Sequence, residues 1–327
     1  MTPDWRIERD AALLRLEHEK NAVIRAEAAE ALCELAAEGG DALKPEFAPS
    51  VVRLLNDAQA EVRCAGLALA ALVLAPEEAK EILVRALGDP SGRTRLEAVG
   101  RLADLALPDS RGIFAQALND DSRLVRFEAA RGMAALKHSA GLEVLVEALD
   151  DDELRFRAAA ALAELGNPEA APALKRQLDR WMMGAFDRTQ IAAALAKLGD
   201  PAGAEHLFKR AARKWSTDRA MAVELLGEVK APGAREKLEA MLADPKDSCR
   251  GASARGLGRL GDAAAIPALE KALIDPRGDD DFRLDVAEGL CRLGDPRARA
   301  SAEQAQLQSD EAKAELRSML SELKVAP

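Results

Sequence analysis

The chain has 327 residues, with 56 acidic against 46 basic side chains, a formal charge of −10 and an isoelectric point near 5.1. That balance disfavours whole-molecule attraction to nucleic acid or anionic membrane and leaves such binding only to a local basic patch. Aromatics make up 3% and tyrosine is absent, which suits close helix packing in an all-α array. No apolar run approaches the ~20 residues of a membrane span, and Met1–Asp10 is polar, without the apolar core of a signal peptide.

Thr2-Pro3-Asp4 is a helix start and predicts a first helix over Trp5–Glu19, a capping helix within residues 1–20. Ala37–Pro49, with Gly39, Gly40 and Pro45, is the longest irregular stretch. Helices are then predicted over Pro49–Leu55, Glu81–Leu87, Gly141–Leu149, Glu169–Leu178 and Ala263–Ile274. Each is followed by a turn and a second helix opened by an Arg, most clearly in Leu154–Gly166. Three turns depart from the short form: Arg180–Phe186, Arg213–Ser216 and the charged Asp275–Asp281. Ser309-Asp310-Glu311 starts a last helix, and residues 297–327 form a polar C-terminal capping repeat.

Aligning the Arg-led helices gives nine copies, at Arg25, Arg63, Arg95, Arg126, Arg155, Arg188, Arg219, Arg250 and Arg283. Apolar residues recur at offsets 3, 7 and 10, for example Ala98, Leu102 and Leu105, one stripe of a 3.6-residue helix. Offset 3 is Ala or smaller in most copies, so a neighbouring helix can approach there. A period near 31 residues over nine copies marks a stacked repeat of helix hairpins. Gly166-Asn167-Pro168, Gly199-Asp200-Pro201 and Gly294-Asp295-Pro296 supply a left-handed stop, an N-cap and a first-position Pro. A stack of this kind predicts one solenoid over residues 1–327.

The D-x5-R turn and the Val125–Leu136 helix (VRFEAARGMAAL) resemble the HEAT family in its short bacterial form, the form also found in phycobilin lyases. The resemblance spans nearly the whole chain. It implies an all-α fold, a right-handed α-α superhelix or HEAT-like solenoid of about nine to ten helix-hairpin repeats. It also implies that the second helix of each pair lines the concave surface. Offsets 2, 5 and 9 then face the groove, including Glu97, Glu128, Arg131, Arg157, Gln190, Met221 and Arg255. Acidic residues dominate early (Glu27, Glu30, Glu34, Asp104). Cations enter later (Lys197, Arg259, Arg292), mixed with Glu224, Glu228 and Glu288. Function is not implied, because the family contains scaffolds, nucleic-acid binders and enzymes.

No catalytic set stands out. His18, His138 and His206 fall at unrelated repeat positions, and His18-Glu19 alone does not make the repeated His-Glu pairs of the HEAT-type di-iron hydroxylases. No metal site and no cofactor is expected, and no bilin site is marked. Cys33, Cys64, Cys249 and Cys291 are isolated and read as free thiols of a reducing, cytoplasmic setting. The turn Asp and the helix-leading Arg of Asp57/Arg63, Asp89/Arg95, Asp120/Arg126 and Asp244/Arg250, with Arg155 in the same place, predict a structural ladder in which each Arg packs across the repeat boundary and bonds Asp or turn carbonyls.

One edge interrupts the acidic chain. Lys175, Arg176 and Arg180 precede Trp181 and Phe186, and Lys209, Arg210, Arg213 and Lys214 precede Trp215, in equivalent turns of repeats six and seven. Cations at helix ends and a Trp covering core explain these structurally; an exposed Trp-Arg edge would instead anchor an acidic partner. The expectation is a non-enzymatic scaffold or adaptor for a protein or peptide, binding on the concave face or on this edge. Two alternatives are a nucleic-acid binder using the basic-aromatic patch and an accessory, lyase-like chaperone for a cofactor-bearing protein.

Overall fold

Hydrophobic stripes this regular require a helical partner on every side but the outer one, and helices are what form. The computed structural model describes residues 5–323. The chain divides into two compact units, Met1–Leu165 and Gly166–Pro327. The first contains α1 (Trp5–His18), α2 (Ala22–Glu38), α3 (Lys44–Leu55), α4 (Ala60–Val73), α5 (Pro76–Ala86), α6 (Gly92–Leu105), α7 (Arg111–Ala117), α8 (Arg123–Ala135), α9 (Leu142–Ala148) and α10 (Arg155–Leu165). The second contains α11 (Ala171–Leu178), α12 (Ala185–Lys197), α13 (Pro201–Ala211), α14 (Arg219–Glu228), α15 (Ala234–Ala243), α16 (Arg250–Leu260), α17 (Ile266–Leu273), α18 (Asp280–Arg292), α19 (Pro296–Glu303) and α20 (Asp310–Glu322). The expected Thr2–Asp4 helix start and the last four residues of the expected capping repeat lie outside the described residues.

In each unit the Arg-led helices pack on one another as well as on their own hairpin partners. Offset 7 is the deepest line: Leu102, Met133, Leu226, Leu257 and Leu290 are buried, while offset 10 is half-buried at Leu105, Leu136 and Val229. The small residue at offset 3 serves the hairpin. A Cβ on Gly66 would stand 2.8 Å from Leu54 Cβ on α3, its own repeat's first helix. In the second unit the tight backbone approach between repeats falls at offsets 8 and 6, Gly227 against Gly256 and Gly258 against Gly289.

One expected loop is helix. Lys44–Leu55 is α3, with Pro45 at its first turn and Pro49 inside it. Pro45 suits a helix start and Pro49 forfeits one backbone hydrogen bond. Burial of Phe47, Val51 and Leu54 outweighs that loss, and the Phe47 ring lies 5.8 Å from that of Trp5 on α1. Turn chemistry elsewhere follows the expectation. At Gly199 the backbone is left-handed (φ 84°), Pro201 takes the first helical position, and the Asp200 side chain accepts from Ala202 N at 2.9 Å.

The ladder runs between repeats. Arg25 forks onto Asp57 (2.9 and 3.0 Å), Arg63 onto Asp89 (2.8 and 2.8 Å) and Arg95 onto Asp120 (2.8 and 2.9 Å). The expected bonds to turn carbonyls also form: Arg63, Arg95 and Arg126 each donate Nη1 to the carbonyl oxygen of Asp57, Asp89 and Asp120, at 3.0, 3.1 and 2.7 Å. Within a repeat the pair thus meets through backbone, and for Arg63 and Arg95 the carboxylate comes from the next repeat. The cause is the turn itself. Each Asp Oδ1 accepts from the amide two residues on (Gln59, Ser91, Ser122; 2.8 Å each), which fixes the carboxylate where the preceding repeat's Arg reaches it. Arg155 donates to Leu149 O at 2.9 Å and pairs with Asp152.

In the second unit the turns are longer. Arg219 and Arg250 reach carbonyls eight residues back, Ala211 O and Leu242 O, both at 2.9 Å. Their carboxylates are Asp247 (2.6 Å) and Asp275 (2.7 Å). The expected pair Asp244/Arg250 is therefore corrected: Asp244 accepts from Lys246 N at 2.9 Å and caps its own turn.

Hydrogen bonds from Arg63 and Arg95 hold the Asp89 and Asp120 carboxyls below the usual carboxylate range against the opposing effect of burial. Arg63→Ala should lower the stability of the first unit by about 1–2 kcal/mol, between an exposed and a buried pair. A folded pKa below the unfolded ~3.9 means the rung stabilises above that pH and fades as pH falls through the folded value. The Arg63→Ala deficit in melting temperature should thus shrink in acid, and an equal melting temperature at pH 7 would remove the ladder as a source of stability.

Candidate functional site

Two surfaces carry the expected binding residues. Along the Arg-led helices of the first unit, buried Glu128 accepts from Arg131 Nε at 2.7 Å and pairs with Arg157. Arg131 also reaches Gly100 O (3.1 Å) and Asp104 (2.8 Å), and Arg101 pairs with Glu97 at 2.7 Å. These residues line a shallow cleft of about 330 Å³. In the second unit Glu224 accepts from Arg255 (2.6 Å) and Arg259 (3.0 Å), Arg255 also pairs with Asp285, and Lys197 binds Glu228 at 2.7 Å. Gln190 is exposed and Met221 half-buried. Over these residues the stripe pairs its own charges, while the exposed Glu27, Glu30 and Glu34 are in no ion pair among the described residues. The later cations expected to offer charge to a partner are engaged with Glu224, Glu228 and, for Arg292, Glu288 at 2.7 Å.

The edge of the second unit is different. It comprises the turns 179–184, after α11, and 212–218, after α13. Fully buried Asp218 pins the second turn to α12: it accepts from Thr189 Oγ1 at 2.6 Å and Arg210 Nε at 2.7 Å, and also from the Ser216 hydroxyl. Burial pushes the Asp218 carboxyl up, and the hydrogen bonds from Arg210, Ser216 and Thr189 outweigh it, leaving it well below the usual range. Arg188, also on α12, donates to Arg180 O at 2.7 Å and ties the first turn to the same helix. Both turns are therefore anchored on the opening residues of α12.

From these anchored turns the large side chains project outward. Trp181 is 89% exposed, Met182 82% and Trp215 97%, with Phe186 also exposed. Neither Trp covers core. Lys175, Arg176, Arg180, Arg213 and Lys214 are exposed beside them, and none is in an ion pair among the described residues. Lys209 comes only within 4.0 Å of Glu205. Arg210 is removed from the expected binding set, since its guanidinium is spent on Asp218. Sequence reasoning missed Asp218 and Asp247 as anchors. The repeated Asp-Arg dipeptide at Asp187-Arg188 and Asp218-Arg219 was the available signal for the first.

Among the described residues no group of three His, Cys, Asp or Glu is placed to hold a metal, and no helix is long and apolar enough to cross a membrane. The four cysteines are free thiols, and burial raises that of Cys33 to about 11.

No curated protein matches the sequence. Among solved structures, the chain is similar to the complex of CpcE and CpcF of phycocyanin lyase from Nostoc sp. PCC7120, at 21% identity over 77% of this chain and 95% of that one, with a TM-score of 0.45. It is similar to an engineered protein at 20% identity over 98% of this chain and 100% of that one, TM-score 0.42. A third similarity is to human deoxyhypusine hydroxylase in complex with glycerol, at 19% identity over 78% and 98%, TM-score 0.33. The family model for HEAT repeats matches residues 111–181 and 216–291, and these two stretches of Arg-led hairpins are HEAT repeats.

Proposed function

We propose that this chain is a non-enzymatic interaction scaffold that holds an acidic segment of a protein partner on the edge formed by turns 179–184 and 212–218. The observation that carries the reading is the near-complete exposure of Trp181 and Trp215 beside five cations that are in no ion pair among the described residues. Exposed tryptophan in water is unfavourable, and Trp with Arg is the pairing that most often anchors an interface. The paired part of the stripe supports the edge, because a partner at Glu128, Arg157, Glu224 or Arg255 would have to break existing ion pairs. A reducing, cytoplasmic setting belongs to the same proposal and is supported by the four free thiols.

The test is a titration of the purified partner against wild type and a Trp215→Ala/Arg213→Ala double variant. Kd should weaken about 30-fold or more, the loss of one interface hot spot, with helical content and melting temperature near wild type because neither side chain packs inward. A Kd within about threefold of wild type would send the search back to the stripe. The same rings and cations also suit a single-stranded nucleic acid by stacking. Binding of an unstructured oligonucleotide that weakens steeply with salt, and is lost in the double variant, would favour that second reading.

A further inference from the structure

The ladder has gaps: Arg126, Arg155 and Arg188 bond groups of their own turns, and the last arginine, the one of these that lines a cavity, meets no carboxylate of the following turn. In the second unit Arg219 and Arg250 each meet a carboxylate from the following turn, Asp247 and Asp275. Arg283 is next in register. The turn after α19 reads Gln304-Ala305-Gln306-Leu307-Gln308-Ser309 and offers no carboxylate. Arg283 is only 9% exposed; its Nη2 makes a long hydrogen bond of 3.4 Å to Asp275 O, and its Nη1 is closed off from solvent with no acceptor among the described residues. A guanidinium cannot shed its charge to relieve this, and a buried cation without a partner is costly.

The side chain lines a cavity of about 670 Å³. Ser301, Gln304 and Gln306 contribute its polar wall, and Leu273, Pro276 and Ile274 its apolar wall. Ile274 is 77% exposed, an unusual position for an aliphatic side chain beside a buried charge. Glu270 is the acidic group on the cavity wall, and it is engaged elsewhere: it accepts from Ser301 Oγ at 2.8 Å and Arg297 Nη2 at 3.0 Å. Asp280 lies near enough to feel Arg283, but its oxygens accept from the Gln308 and Ser309 amides.

We propose that Arg283 and this cavity bind the carboxylate of an aliphatic acid, which occupies the rung that the chain leaves empty. The carboxylate accepts from the guanidinium, Gln304 and Gln306 complete its hydrogen bonds, and the alkyl part lies on Leu273, Ile274 and Pro276. A bidentate Arg-carboxylate pair is the strongest neutral-pH arrangement this donor can make. The carboxylate comes either from a free acid or from an Asp or Glu side chain of a polypeptide.

Calorimetric titration of the full chain with butyrate and with N-acetyl-aspartate methylamide, in buffers matched with sodium chloride, tests this. One saturable site is expected for at least one probe. Tighter binding of butyrate identifies a free acid, and tighter binding of the aspartate derivative identifies a polypeptide side chain. Arg283→Gln should weaken the binding about 30-fold or more, the effect of removing one member of a buried charge pair. Gln306→Glu places a carboxylate in the cavity from within, and should abolish binding while raising the melting temperature. Heats no larger than those of chloride, or binding that persists in Gln306→Glu, would overturn the proposal even if Arg283→Gln does not fold.

Discussion

Replacing Gly227 by Ala should destabilise the second unit by about 3 kcal/mol or more, at the upper end of overpacking effects. Gly227 on α14 lies against the backbone of Gly256 on α16, where an added Cβ would stand 2.6 Å from the Gly256 carbonyl carbon and closer still to its oxygen. Backbone faces backbone, so no flexible side chain can yield. The motif repeats one step along: a Cβ on Gly258 would meet Gly289 O on α18 at 2.6 Å. The stack can relieve the clash only by separating α14 from α16, which uncovers Val223, Leu226 and Leu257, all fully buried. Melting temperature should fall by roughly 6–12 °C on the scale of a domain this size. Gly112→Ala is the internal control. Its Cβ would meet nothing within 4 Å, so it should be neutral or stabilise by about 0.5–1 kcal/mol through helix propensity. Equal melting curves for Gly227→Ala and wild type would refute the close helix crossing.

Asp218→Ala should cost the same unit about 3–5 kcal/mol, the range for removing one partner of a buried charged network. Its carboxylate is the shared acceptor for Arg210, Ser216 and Thr189, and its loss leaves the Arg210 guanidinium half-buried without an anion. The turn 212–218 should loosen, carrying Trp215 with it. This substitution therefore lowers stability and partner binding together, whereas Trp215→Ala/Arg213→Ala lowers binding alone. The pH dependence has a definite sign. The folded pKa of Asp218 is depressed below the unfolded ~3.9, so its contribution is full above that value and is lost as pH falls through the folded pKa. Melting temperature in wild type should drop with acid below about pH 4, and Asp218→Ala should show a shallower drop. Parallel curves from pH 7 to pH 2 would show that Asp218 does not stabilise through its charge.

The repeat frame was legible in the chain because it is local. Offsets 3, 7 and 10 from each Arg follow from helix geometry, and the Gly-Asp-Pro turns follow from the conformational preferences of those residue types within a few positions of one another. The basic-aromatic edge was legible for the same reason: Arg180-Trp181 and Arg213-Lys214-Trp215 are contiguous. Whether those tryptophans cover core or face water was not, because burial depends on what lies across the turn. Arg210 shows the limit well. It reads as one more cation in a cluster, and becomes an anchor only when folding carries Asp218 and Thr189 to it.

What the sequence by itself determined is the unit: a helix, a turn, an Arg-led helix and a capped stop, because short-range sterics and hydrophobic periodicity suffice to specify it. What only the tertiary structure decided is every partnership between successive repeats. Arg63 takes the Asp89 carboxylate rather than that of Asp57, Arg250 takes Asp275 rather than Asp244, and in the second unit glycines at offsets 6 and 8 rather than small residues at offset 3 set the helix spacing. These depend on the rotation and rise from one hairpin to the next, which a Cβ more or less, or a turn two residues longer, is enough to change. Arg283 belongs to the same class: a tenth turn without an acid looks like ordinary sequence drift until the stack places a buried guanidinium opposite it.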